Sequence, residues 1–211
     1  MYQQLPVIIV VVPLMIAIAI SFIGQRHKNA AFILTLGAMS ICLTGSILML
    51  FMVNSQGPIE YQLGGWAPPM GIVYRIDNLN AFMLILIAFI GLISAVHGQK
   101  SIQKEMPDKI SLFWCLFLLL IVGLLGITST GDLFNLFVFL EVASLTGYAL
   151  VAAGDKKATV AGIRYLILGS IGASFYLLGV GYLYIATGTL NMEDLGRLLP
   201  ELYHSETVLL G

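Results

Sequence analysis

Long apolar runs separated by short polar segments recur along the chain. Each run holds about 20 residues or more, which is enough to cross a hydrocarbon layer of roughly 30 Å as a helix. Because a helix satisfies its own backbone hydrogen bonds, the pattern predicts an all-α fold, a polytopic membrane bundle forming a single domain over residues 1–211. Six transmembrane helices are predicted, over residues 5–24, 30–53, 77–97, 110–129, 132–153 and 159–187.

Two segments outside these helices are predicted to have structure of their own. The segment 57–77 holds two short β-prone stretches around a Gly-Gly and a Pro-Pro pair, which is typical of a β-hairpin. The segment 188–211 contains Asn191, followed by Glu193 and Asp194 and by leucines along one helical face. That pattern predicts a short interfacial amphipathic helix capped by Asn191. The final letters, SETVLLG, indicate the start of a further helix.

The composition agrees with a membrane protein and excludes several other classes. Hydrophobic residues make up 59% of the 211 residues and charged residues only 10%, whereas about 25% are charged in a soluble domain. The net charge of −1 gives no indication of a nucleic-acid partner. Cys42 and Cys115 lie inside apolar runs, as small packing residues do. Without HxxxH, CxxC, nucleophile-elbow or phosphate-loop patterns, the sequence predicts no cofactor, no metal site and no active site of its own.

Lysine and arginine are distributed unevenly between the two sides of the predicted bundle. Only Arg75 and Arg197 lie on the side of the hairpin and the amphipathic helix. Because cytoplasmic loops carry the excess of basic residues, the opposite side is predicted to be cytoplasmic. The chain is thus expected to be a multi-pass protein of the cell membrane, with its N-terminus, hairpin and amphipathic helix outside. The basic residues on the cytoplasmic side are Arg26, Lys28, Lys100, Lys104, Lys109, Lys156, Lys157 and Arg164.

The fifth predicted helix contains a glutamate at a depth where an apolar residue is expected. If this helix begins at Asp132, Glu141 lies about 13–14 Å along it at 1.5 Å per residue, close to the bilayer midplane. An acidic residue there costs about 2.5–3.5 kcal/mol on insertion scales, so such residues face a bundle interior or a water cavity. Glu141 is therefore predicted to bind and release protons. The alternative is a protonated glutamic acid that forms a hydrogen bond between helices.

Other polar side chains share the fifth predicted helix with Glu141. Ser144 and Tyr148 follow it by three and seven residues, hence on the same face, and are predicted to extend a proton path toward the cytoplasm. Interhelical hydrogen bonding is their alternative role. Asp132 lies where a helix cap belongs, and it is also placed to pass protons at the outer mouth. Asn135, one turn deeper, is expected to bond a neighbouring helix.

A countercharge for Glu141 is hard to find within the sequence. Arg164 lies about six residues into the sixth predicted helix, roughly 9 Å from the cytoplasmic end, against roughly 18 Å for Glu141. The difference of about 9 Å excludes a direct salt bridge without water, so Arg164 is predicted either to assist through water or to snorkel to the surface. The main countercharge is expected from elsewhere.

The sequence resembles a known family in the region of Glu141. TGDLFNLFVFLEVASLTGYALVAAG, followed by GIRYLILGSIGASFYLLGVGYLYIATGTLNM, resembles the proton-translocating antiporter-like subunits shared by complex I, Mrp-type multisubunit Na⁺/H⁺ antiporters (their D component especially) and membrane-bound hydrogenases. The segment LGGWAPPMGIVYRIDNLNAFML is similar to the one that leads into their third helix. The resemblance implies a larger fold built around two inverted helical repeats. It also implies that Glu141 handles protons, paired with a lysine on a discontinuous seventh helix.

The resemblance implies a function for the whole assembly. A proton-translocating or Na⁺/H⁺ antiporter subunit is expected, in a multisubunit respiratory or Mrp-type complex, with other membrane subunits, H⁺, Na⁺ and the lipid bilayer as partners. At most it would be a membrane subunit of a complex I-like or hydrogenase enzyme. The lysine partner has no counterpart here, so we expect a truncated gene product or one piece of a longer machine. The alternatives are a non-transporting structural subunit and a small carrier that acts alone.

Overall fold

The structure, a computed structural model, describes residues 4–24, 28–154, 156–202 and 204–211. Arg26, one of the basic residues that define the predicted cytoplasmic side, lies outside the described residues, and so do the side chains of Lys28 and Lys156. The described residues form eight α-helices and a two-stranded antiparallel sheet. In chain order these are α1 (Leu5–Ile23), α2 (Lys28–Gln56), β1 (Ile59–Gln62), β2 (Val73–Ile76), α3 (Asn78–Glu105), α4 (Ile110–Ser129), α5 (Leu133–Ala152), α6 (Lys156–Thr187), α7 (Met192–Leu202) and α8 (Glu206–Leu210).

The predicted fold class is confirmed. Among the described residues, six helices are long and apolar enough to cross a membrane, namely α1 to α6. The predicted hairpin is formed by β1 and β2, and the predicted amphipathic helix is α7. Helix α3 continues beyond the apolar run to Glu105, because the polar residues that follow are good helix formers. It ends just before Met106, the residue that precedes Pro107 and is therefore disfavoured in a helix.

The core of the bundle lies between α1, α2, α3 and α4. Trp114 of α4 is 1% exposed, and its ring packs against Phe32 of α2 with 5.4 Å between ring centroids. Helix α4 contacts α1, α2, α3 and α5, so it forms the centre of the bundle. The share of residues that is buried in the most apolar 18-residue stretch of each helix then falls along the chain, from 44% in α4 to 11% in α5 and 6% in α6. Helices α5 and α6 therefore form an open side of the bundle.

The approach of α5 to α4 depends on two glycines of α4. A Cβ at Gly126 would lie 2.2 Å from Cδ1 of Phe139, and one at Gly123 would lie 2.7 Å from Cβ of Ala143. Real Cβ atoms do not approach other atoms so closely, so only glycine allows these helices to pack at this distance. Phe139 and Ala143 therefore define the face of α5 that meets α4.

The hairpin is extended by two loops into a longer hydrogen-bonded ribbon. Within the hairpin, Glu60 pairs with Arg75 across the antiparallel register. Gly131, in the α4–α5 loop, donates its backbone N–H to Val73 of β2 (2.8 Å), and the N–H of Met192 donates to the carbonyl of Gly131 (2.9 Å). The ribbon thus runs from β1 through β2 and the segment 130–132 to the loop before α7. It fixes where α5 and α7 begin.

Helix α7 begins as its sequence predicts. The side-chain oxygen of Asn191 accepts the backbone N–H groups of Glu193 (2.9 Å) and Asp194 (3.2 Å), which satisfies two donors of the first turn. Leu195, on the apolar face, is 4% exposed. The amphipathic helix is therefore anchored at its start to the ribbon.

Candidate functional site

The first turn of α5 is held by a buried polar cluster at the ribbon. The carboxylate of Asp132 accepts the backbone N–H of Asn135 (2.7 Å), and the amide of Asn135 donates to Oγ1 of Thr130 (2.9 Å). Asp132 and Asn135 are each 8% exposed. Asp132 thus occupies the capping position predicted for it. Asn135 bonds the preceding loop, whereas the sequence led us to expect a bond to a neighbouring helix.

Burial also changes the proton affinities in this cluster. Burial raises the pKa of Asp132, and the backbone hydrogen bonds from Asn135 and Phe134 oppose that rise. The pKa of the Tyr74 phenol on β2 is likewise raised by burial and is lowered in part by its hydrogen bond with Asn135. Each group therefore holds its proton to a higher pH than it would in water. The head of α5 combines two such titratable groups with neutral hydrogen-bonding side chains.

A polar cavity of about 370 Å³ opens beside this cluster, between the ribbon and α7. Arg75 of β2 forms an ion pair with Glu193 of α7 and a longer one with Glu60 of β1 (3.7 Å). Arg197 pairs with Glu193 at 2.5 Å. Thr130 lies in the wall of the cavity, and so the cavity reaches the polar cluster at the head of α5. The pair between Arg75 and Glu193 was not predicted from the sequence, because these two charges are far apart along the chain.

Glu141 lies near the middle of α5, on the face that points toward α6. Phe137, four residues earlier, stacks on Tyr176 of α6 with 6.2 Å between centroids, and Tyr148, seven residues later, packs edge-on against Tyr165 of α6 at 4.5 Å. Residues at these spacings share one helical face, so Glu141 faces α6 between the two contacts. Its side chain is partly buried and forms no hydrogen bond or ion pair with any residue that the structure describes.

The two aromatic contacts bound a region between the helices that we call the α5–α6 space. It extends from the Phe137–Tyr176 contact to the place where Tyr148 meets Gly169 of α6. Along this stretch α6 carries small residues, and a Cβ at Gly172 would meet nothing within 4 Å. Gly172 is itself exposed, so this stretch of α6 borders the open side of the bundle.

The predicted site residues divide into those that face the α5–α6 space and those that do not. Ser144, partly buried, and Tyr148, 9% exposed, lie on the same face of α5 as Glu141. Asp132 lies at the start of the helix, inside the polar cluster. Arg164 is exposed on α6 and forms no ion pair with Glu141 or any other described residue. The structure thus brings three of the five predicted residues together.

Two further residues near this space were missed in the sequence. The phenol of Tyr176 donates to the backbone carbonyl of Leu133 (3.1 Å), which ties α6 to the first turn of α5. The Tyr148 hydroxyl lies so close to Gly169 that a Cβ at Gly169 would be 1.7 Å from Oη of Tyr148. The only signal in the sequence was the group of small residues in GSIGAS, which is also common in ordinary membrane-helix packing.

Comparison with known proteins finds similar sequences over the length of this chain. A family model described as "NADH:quinone oxidoreductase/Mrp antiporter, TM" matches residues 130–211, the region that contains α5, α6 and α7. NADH-quinone oxidoreductase subunit N of Desulforudis audaxviator (strain MP104C) is 43% identical over 213 residues, covering 100% of this chain and 42% of that protein. The putative antiporter subunit mnhD2 of Staphylococcus haemolyticus (strain JCSC1435) is 29% identical, with the same coverage.

A solved structure shows the same fold. A chain of the membrane-bound sulfane sulfur reductase, an archaeal respiratory membrane complex, superposes with a TM-score of 0.90 and 33% identity, covering 98% of this chain and 42% of that one. The chain therefore spans 42% of the length of each of these relatives. In sequence and fold, the chain is thus similar to the antiporter-like membrane subunits of NADH:quinone oxidoreductase and Mrp antiporter complexes.

Proposed function

We propose that this chain is a proton-translocating membrane subunit of a multisubunit respiratory or Mrp-type complex, with Glu141 as its mid-membrane proton-handling residue. The observation that supports the proposal best is the position of Glu141. Its carboxylate faces the α5–α6 space and has no countercharge among the described residues. An acid without a fixed partner can gain and lose a proton, whereas an acid inside a saturated hydrogen-bond network is held in one state.

The proposed proton path uses the polar groups on either side of Glu141. Ser144 and Tyr148 continue the face of Glu141 toward the end of α5, and Asp132 lies at the start of the same helix. Hydroxyl groups both donate and accept hydrogen bonds, so they pass protons together with intervening water. Arg164, exposed on α6 near the end of this path, assists through water. Asp132 exchanges protons with the cavity beside the ribbon.

The driving step is electrostatic and involves protein outside this chain. A positive charge that approaches Glu141 favours the carboxylate and releases the proton, and its withdrawal favours the protonated acid. Coupling of this kind links the site to movements elsewhere in the complex. The open side formed by α5 and α6 is where we place the neighbouring protein that carries this charge. We propose H⁺ as the transported ion, with Na⁺ as the exchanged ion in an antiporter.

The proposed orientation follows the basic residues. Arg75 and Arg197 belong to the side of the ribbon and α7, whereas Lys100, Lys104 and Lys109 lie in and after the end of α3, on the opposite side of the bundle. We therefore place the ribbon, the polar cavity and the N-terminus outside the cell membrane. Protons would then move between the cytoplasm, by way of Tyr148 and Ser144, and the outer cavity beside Asp132.

Replacement of the carboxylate tests the proposal. In the assembled complex reconstituted in vesicles, Glu141→Gln is expected to abolish proton translocation measured with a pH-sensitive dye, because the amide keeps the shape but does not exchange a proton. The complex should assemble in normal amounts. Glu201→Gln is the matched control, since Glu201 is exposed on α7 outside the spanning helices, and it should translocate like wild type.

The structural alternative predicts the opposite pattern. If Glu141 only supports packing, Glu141→Gln translocates normally and Glu141→Ala lowers the thermal stability of the complex instead. Normal translocation by a fully assembled Glu141→Gln complex would therefore overturn the proposed function.

A further inference from the structure

We propose that Gly169 is a positioning residue for proton transfer: because it lacks a side chain, the Tyr148 hydroxyl lies against α6 and closes one end of the α5–α6 space. This inference rests on the proposed function of Glu141. It assigns a role on α6 to a residue that carries no chemistry of its own.

The contact between Tyr148 and Gly169 leaves no room for a larger residue. A Cβ at Gly169 would lie 1.7 Å from Oη of Tyr148, 2.5 Å from Cζ and 3.2 Å from Cε2. Atoms of real side chains do not approach so closely, so even alanine would force the phenol to move. The ring is also confined on another side by Tyr165, whose centroid lies 4.5 Å away. An alanine at this position would therefore displace the phenol from its place against α6.

The hydroxyl has a defined place relative to Glu141. Tyr148 lies seven residues after Glu141, about 10.5 Å along α5 at 1.5 Å per residue, and Ser144 lies between them on the same face. On α6, Gly169 and Tyr176 are also seven residues apart, and each meets α5 at one end of the α5–α6 space. Gly169 thus determines where the space ends on the side of Tyr148.

Proton transfer is sensitive to such placement. A phenol passes a proton by accepting one hydrogen bond while donating another, which requires oxygen atoms at hydrogen-bond distance on both sides. Displacement of a positioned group by about 1 Å can reduce the rate of a reaction by about 100-fold. Moving the Tyr148 hydroxyl away from α6 should therefore slow translocation strongly while the carboxylate of Glu141 remains in place.

Two glycine substitutions on α6 provide a matched test in the assembled complex. Gly169→Ala is expected to reduce the rate of proton translocation about tenfold or more, because the methyl group displaces Tyr148. Gly181→Ala is the control, since Gly181 lies on α6 beyond the α5–α6 space, a Cβ there meets nothing within 4 Å and the gain in helix propensity is the same. It should translocate at close to the wild-type rate. Equal rates for Gly169→Ala and wild type would overturn the inference.

A double-mutant cycle separates positioning from general damage to packing. Tyr148→Phe removes the hydroxyl but keeps the ring, so it is expected to lower translocation about as much as Gly169→Ala. If Gly169 acts through that hydroxyl, the double variant is no slower than Tyr148→Phe alone, and the pH profile of translocation changes alike in all three. If the double variant instead loses the product of the two single rate reductions, the inference is contradicted. A wild-type translocation rate for Tyr148→Phe also contradicts it, even if Gly169→Ala fails to assemble.

The same measurements distinguish this inference from the proposed function. If Glu141→Gln is inactive while Gly169→Ala and Tyr148→Phe translocate normally, only the role of Gly169 is wrong. Normal translocation by Glu141→Gln contradicts both.

Discussion

At the scale of single residues, the sequence and the structure answer different questions about Glu141. Its depth in an apolar run is sufficient to predict a functional carboxylate, because an acid there is unfavourable unless it is used. The direction in which it points depends on Phe139 and Ala143, which meet α4. That direction comes from packing between helices and has no local signal. The sequence alone therefore suggests a role for Glu141, which stays a prediction, but does not show which helix the residue faces.

The cap at Asp132 leads to a prediction about stability. Asp132→Ala should lower the free energy of unfolding by about 1 kcal/mol, because the N–H of Asn135 loses its acceptor. Asp132→Asn should keep the cap, since asparagine also accepts at this position. Thermal unfolding of the purified complex in detergent measures both. An alanine variant as stable as the asparagine variant would show that the cap contributes nothing.

The same pair of variants tests the effect of burial on Asp132. Burial raises the pKa of Asp132 above its ordinary value, so the folded protein binds this proton more tightly than the unfolded chain. Its contribution to stability is therefore complete in acid and is lost as the pH rises through the folded-state pKa. When the buffer is changed from acidic to neutral pH, Asp132→Asn should therefore become more stable relative to wild type, because only wild type loses this contribution. A difference that does not change with pH would contradict this assignment.

At the scale of elements, the six spanning helices and the hairpin follow from local signals, whereas the ribbon does not. The apolar run length determines the existence of each spanning helix, and Asn191 determines where α7 begins. The pairing of β2 with the segment 130–132, and the ion pair between Arg75 and Glu193, join parts of the chain that are distant in sequence. Nothing in the local pattern selects these partners, so the polar cavity could not be predicted.

Packing of α4 on α5 gives a prediction for a pair of elements. Gly126→Ala should destabilise the complex by about 1–3 kcal/mol, the usual effect of overpacking, because the new methyl group meets the ring of Phe139. Gly147→Ala on α5 is the control, since a Cβ there meets nothing within 4 Å. The midpoint of thermal unfolding should fall for the first variant only. Equal midpoints would mean that α5 shifts away from α4 at no cost.

At the scale of the whole molecule, burial decreases from α4 through α5 to α6. A spanning helix that is mostly exposed contacts either lipid or other protein, and its composition indicates which. Exposed Phe175 and Ile185 on α6 fit lipid or an apolar partner, but Glu141 on the adjoining face of α5 does not fit lipid. The proposed function accordingly places neighbouring protein beside Glu141.

The last prediction concerns the chain on its own. Purified and reconstituted in liposomes with an imposed pH gradient, the chain is expected to carry no proton flux above that of empty liposomes. Glu141 has no countercharge among the described residues, and the proposed path of hydroxyl groups lies on the side where α5 and α6 are mostly exposed, so lipid is expected to interrupt the water that the path requires. The complex in the same liposomes is the positive control. Flux by the chain that disappears with Glu141→Gln would instead make it a carrier that acts alone, since every group needed for translocation would then lie within these 211 residues.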